Sequence, residues 1–131
     1  MNISDKELYR KRKMENAVAT LNEINNLLQF EYYNNAIHRL YYASYYAVQA
    51  LLSTEGVFPK SHKGNLIMLS RHFILTGIID KKYGDFYSQL FQERQLADYA
   101  EETAYTREYV ESLFAYTKEF IEEIKKRIPE N

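Results

Sequence analysis

The sequence predicts an all-α protein, a five-helix up-and-down antiparallel bundle, and three observations carry that reading. Apolar side chains recur at threes and fours rather than in alternation. Glycine (4) and proline (2) are too scarce to punctuate a series of short strands. No alternating β-branched run competes with the helical pattern. At 131 residues the chain suits a single domain, 1–131, with enough interior to fold without disulfides or a structural metal.

The first helix is expected over residues 5–28, where Leu8, Met14, Val18, Leu21, Ile24, Leu27 and Leu28 share one side. Ser4, with Glu7 three residues on, suits a capping box at its start. Residues 31–54 repeat the spacing through Ile37, Leu40, Tyr41, Tyr45, Val48, Leu51 and Leu52. The apolar face there is wide, which marks the central helix of a bundle. Gly56 and Pro59 then bracket a break, and Ser61 reads as the N-cap of a shorter helix running to about Thr76, with Gly77 as its stop. Asp80 caps a fourth helix with Tyr83, Phe86, Tyr87, Leu90, Phe91 and Leu96 inside, ending near Glu101. Thr103 or Thr106 opens the last helix, whose stripe of Val110, Leu113, Phe114, Thr117, Ile121, Ile124 and Ile128 runs to Pro129.

Composition excludes several function classes. There is no cysteine, so zinc–thiolate sites, iron–sulfur ligation and thiol nucleophiles are out. A net charge of −1 does not suit a uniformly basic nucleic-acid binder. The charges are nevertheless uneven: residues 1–82 carry 11 basic and 7 acidic side chains, residues 83–131 carry 6 and 11. The dense basic cluster Lys6, Arg10, Lys11, Arg12 and Lys13 reads as the solvated face of the first helix. No segment approaches about eighteen continuous apolar residues, so no membrane span is expected. The amino terminus lacks a basic run followed by an apolar stretch, so no signal peptide is expected and the cytoplasm is the expected location.

Familiar catalytic signatures are missing. The three histidines, His38, His62 and His72, have no second ligand at helical spacing, so neither a metal nor a cofactor is expected. There is no Gly-x-Ser-x-Gly elbow and no phosphate-cradling glycine loop. What remains are polar groups set into helices. Arg39 lies among apolar positions and needs a carboxylate, which Asp98 or Glu93 could supply from another helix. Alternatively, Arg39 and Arg94 together hold a phosphodiester, since a guanidinium offers phosphate a bidentate fork. Lys60, His62 and Lys63 stand at a helix start, where backbone amides and lysines favour an anion. Arg39, Lys60, His62 and Lys63 are therefore the candidate ligand-binding residues.

Three ordered segments carry a family resemblance. They are Arg39-Leu40-Tyr41-Tyr42-Ala43, Lys60-Ser61-His62-Lys63-Gly64 and Arg94-Gln95-Leu96-Ala97-Asp98-Tyr99. Over about residues 15–127 the chain resembles the HEPN superfamily, in particular its small stand-alone members. The resemblance implies a helical bundle that pairs into a homodimer with a cleft between subunits. It also implies a toxin–antitoxin-like module with a minimal nucleotidyltransferase partner, and RNA or a nucleotide in the cleft. Many relatives are metal-independent endoribonucleases whose motif is an arginine, four to six residues, then a histidine. This chain departs from that motif: with Arg94 as the arginine, Tyr99 stands where histidine should, and Glu101 where a modifiable tyrosine should. The expectation is a binding protein without the standard ribonuclease site. The alternative is an endoribonuclease with a non-standard catalytic set of Arg94, Asp98 and Tyr99.

Overall fold

The computed structural model describes residues 2–100 and 104–129. Those residues form helices and connections, with no strand among them. In chain order the helices are α1 (Ile3–Leu21), α2 (Ile24–Gln29), α3 (Tyr33–Ser53), α4 (His62–Leu69), α5 (Lys81–Ala97) and α6 (Arg107–Lys125). A π-helical turn, Ser70–Ile74, extends α4. The five expected segments are all present, and the fold is the HEPN-like helical bundle that the sequence suggests.

α3 is the axis of the bundle because its sequence is apolar or small on nearly every side. Ala36, Ile37, Leu40, Tyr41, Ala43, Ala47, Val48, Ala50, Leu51 and Leu52 are all fully buried. The alanines let neighbouring helices approach closely, and α1, α5 and α6 pack around this one helix. A line of aromatic rings ties the layers together. Tyr41 of α3 lies parallel to Tyr87 of α5 at 5.9 Å, and Tyr87 lies 5.6 Å from Phe120 of α6. The buried phenol of Tyr87 donates to Asn65 Oδ1 at 2.6 Å, which satisfies the polar end of that stack.

Several boundaries fall where side-chain chemistry puts them. Ser61 accepts from the Gly64 amide, Asp80 from the Lys82 amide and Thr106 from the Tyr109 amide. Gly77 adopts φ +79°, the left-handed conformation expected of a helix stop. Three details differ from expectation. Asn2, not Ser4, caps α1, with its side chain accepting from the Asp5 amide. The long first helix is broken at Asn22–Glu23, and the turn lets α2 bury Ile24 and Leu28. The fourth helix stops at Ala97; Glu101 and Thr103, named above for the ends of two helices, lie outside the described residues.

Candidate functional site

Asn34 fixes the geometry from which the site is built. Its Nδ2 donates to the carbonyls of Ala97 at 3.0 Å and Ala100 at 2.8 Å, so the start of α3 is held against the end of α5. Ala97 is the last residue of α5, and Ala100 lies just beyond it. A cleft of about 410 Å³ opens beside the clamp, lined by Asn34, Asn35, His38, Ala97, Asp98 and Ala100.

Asp98 lines that cleft, and Arg94 stands beside it one helical turn earlier on α5. Arg94 Nε lies 3.8 Å from Asp98 Oδ2, close enough for an ion pair and too far for a hydrogen bond. Its guanidinium rests on the faces of Tyr41 and Tyr42, at 5.6 and 5.7 Å from the ring centroids. The side chain is only 19% exposed, and its buried Nε has no hydrogen-bond partner. Two tyrosine faces thus fix the plane of a nearly buried cation without satisfying its donors. An arginine in that state can receive an anion, since a phosphate oxygen would supply an acceptor for the unpartnered Nε.

His38 takes the carboxylate that Arg39 was expected to take. His38 Nδ1 lies 3.3 Å from Asp98 Oδ1, and its ring lies 4.8 Å from that of Tyr42. Arg39 is turned away from the cleft and donates to Glu23 Oε2 at 3.0 Å and to Thr20 Oγ1 at 3.3 Å. The expected pairing of Arg39 with Asp98 or Glu93 is therefore corrected, and so is its expected place beside Arg94. The reason is helical rotation: one residue along α3 turns the side chain by about 100°, from α5 to the α1–α2 break. Glu93 instead accepts from the Tyr109 hydroxyl at 2.8 Å.

His62 reaches the same cluster from the first turn of α4. Its Nδ1 lies 2.8 Å from the Tyr41 hydroxyl, and its ring contacts those of Tyr41, Tyr42 and Tyr45. Burial lowers its pKa below the ordinary 6.5, and the nearby charges of Arg94 and His38 push it the same way. The flanking Lys60 and Lys63 are exposed and make no ion pair among the described residues. Tyr99 is 92% exposed, outside the buried cluster. His38, like Asn34, Tyr41 and Tyr42, did not figure among the candidate site residues. The available signal was its spacing, since His38, Tyr42 and Tyr45 share a helix face. Among the described residues no group of three His, Asp or Glu side chains is placed to hold a metal. No helix among them is long and apolar enough to cross a membrane.

The bundle has Arg94, His38 and His62 gathered around Tyr42 beside its central helix. The HEPN domain family model matches residues 11–128, and the chain belongs to that family. It is 34% identical over 122 residues to a "UPF0332 protein" of Thermotoga maritima, covering 93% of this chain and 89% of the relative. It is also 32% identical over 130 residues to a Methanocaldococcus jannaschii protein named "Putative toxin MJ0142", covering 96% of this chain and 88% of the relative. A second protein of that organism, "Putative toxin MJ0605", is 32% identical over 117 residues, covering 89% and 87%.

Proposed function

We propose that this protein is the toxin-like member of a two-gene module and binds the phosphodiester backbone of RNA at the α3–α5 cleft. The observation that carries the binding site is Arg94, a nearly buried guanidinium stacked on two tyrosines with no hydrogen-bond acceptor of its own. The toxin-like role is supported by the family and by the names of two relatives. In this reading the partner is a minimal nucleotidyltransferase that restrains the toxin, and the complex acts in the cytoplasm. A second copy of the chain completes the cleft, which accounts for the apolar side chains left exposed near it. Phe30, Tyr32, Leu96 and Tyr99 are 62%, 46%, 62% and 92% exposed.

Expression of the chain alone in a bacterial host is expected to slow growth. Co-expression with a minimal nucleotidyltransferase found encoded next to it should restore growth, and the two proteins should elute together; a gene with no such neighbour would count against the module. Normal growth on expression alone, with no complex formed, would remove the module reading.

A further inference from the structure

The basic run of α1 is not a uniformly solvated face. The Lys13 ammonium lies over two phenol rings, 5.3 Å from the centroid of Tyr9 and 5.7 Å from that of Tyr46. No carboxylate pairs with it among the described residues. Rings rather than a counter-ion hold this cation in place, which leaves its charge for an anion from outside.

The same rings continue into the α3–α5 cleft. His38, Tyr42 and Tyr46 recur at every fourth position of α3 and share a face, as Tyr9 and Lys13 do on α1. The Arg94 guanidinium lies 5.7 Å from the Tyr42 ring, Tyr42 lies 6.1 Å from the Tyr46 ring, and Tyr46 lies 5.7 Å from the Lys13 ammonium. Beyond Lys13, Tyr9 meets Phe58 edge-on at 5.1 Å. Tyr42, Tyr46, Tyr9 and Phe58 are all half-buried, so each keeps part of its ring open to a ligand. The path ends on α1 in a hollow of about 330 Å³ lined by Asp5, Leu8, Tyr9, Arg12, Lys13 and Asn16. Two cations outweigh one carboxylate on its walls, and Leu8, 48% exposed, adds an apolar surface.

We propose that this path is a track for a single strand, leading out of the cleft and onto α1. One phosphate lies at Arg94 and another at Lys13, with a base against Tyr42 and Tyr46 between them and the next base in the α1 hollow. The proposal rests on the reading that the cleft binds RNA, and it names the strand state that the protein accepts. Cations alternating with aromatic rings match the alternation of phosphate and base along one strand. A duplex keeps its base faces in its own stack, so it can use Arg94 and Lys13 but not the tyrosines between them. The two cations alone would equally suit an acidic peptide; the rings that join them favour bases.

The test is fluorescence anisotropy with the full chain and labelled 2′-O-methyl oligomers. The probes are a dinucleotide, an octanucleotide, the octanucleotide annealed to its complement, and an octamer of abasic residues with the same phosphates. The single-stranded octanucleotide is expected to bind about 10-fold or more tightly than any of the other three. Tyr46→Leu should weaken octanucleotide binding about 10-fold and leave the dinucleotide unaffected. Tyr46→Phe should keep the parental affinity, because stacking uses the ring and not the hydroxyl. Lys13→Gln should weaken the octanucleotide and make its salt dependence shallower by about one phosphate contact, a change that a merely structural lysine would not produce. Equal affinity for the single strand, the duplex and the abasic strand would overturn the track while leaving phosphate binding at Arg94 standing. So would an octanucleotide affinity unmoved by Tyr46→Leu and Lys13→Gln, or displacement of the octanucleotide by a polyglutamate peptide as readily as by unlabelled octanucleotide. Failure to bind any of the probes would remove both readings.

Discussion

Alanine in place of Phe120 is expected to destabilise the bundle by about 3–5 kcal/mol. The ring is fully buried on α6 and lies 6.0 Å from Tyr83, 6.2 Å from Phe86 and 5.6 Å from Tyr87. Its loss removes apolar burial and leaves a cavity between α5 and α6 that packed aromatics cannot readily close. Single domains are stable by only about 5–15 kcal/mol, so this change consumes a large share of the total. Urea denaturation should show a lower midpoint with an unchanged slope. Phe30→Ala, at a ring 62% exposed, is the matched control and should stay within about 0.5 kcal/mol of the parent. Equal losses from the two changes would mean that the α5–α6 aromatic layer is not the core it is described as here.

Arg94→Ala is expected to weaken RNA binding by about 10- to 100-fold. A hydrogen bond to a charged group contributes about 1.5–3 kcal/mol, and each 1.4 kcal/mol is a factor of ten. Folding should change far less, because Arg94 makes no hydrogen bond among the described residues and Asp98 keeps its contact with His38. Arg94→Lys should recover only part of the affinity, since an ammonium neither lies flat on Tyr41 and Tyr42 nor offers a planar fork. Fluorescence anisotropy with a labelled 2′-O-methyl RNA measures all three proteins. Undiminished affinity in the alanine variant would remove Arg94 from the site.

The fold was legible where a residue's own chemistry marks a boundary. Ser61, Asp80 and Thr106 are short oxygen-bearing side chains immediately before apolar runs, and each caps the helix that follows. The break at Asn22–Glu23 carries no glycine or proline. Its determinants include burial of Ile24 and Leu28 on α2 and the reach of Arg39 to Glu23, both tertiary. The π turn at Ser70–Ile74 likewise carries no glycine or proline to mark it.

The site was legible in its residue types and not in its pairings. An arginine in need of a carboxylate was correctly sought in the second helix, but neighbouring positions on a helix face different partners. Arg39 met Glu23, and Asp98 met His38, sixty positions away in the chain. A search for a histidine a few residues after an arginine cannot find His38 or His62. They reach Arg94 through the packing of α3 and α4 against α5, not through spacing along one helix.

The three histidines provide the most direct test of the central claim, that RNA phosphate sits in the α3–α5 cleft. His38 lines the cleft and His62 packs on Tyr41 and Tyr42 beside it, whereas His72 lies in the π-helical turn after α4 and serves as an internal reference. NMR of the imidazole signals during titration with a 2′-O-methyl RNA should move the resonances of His38 and His62 together and leave that of His72 in place. Saturable binding that leaves both His38 and His62 unmoved would place the RNA elsewhere on the protein and contradict the account.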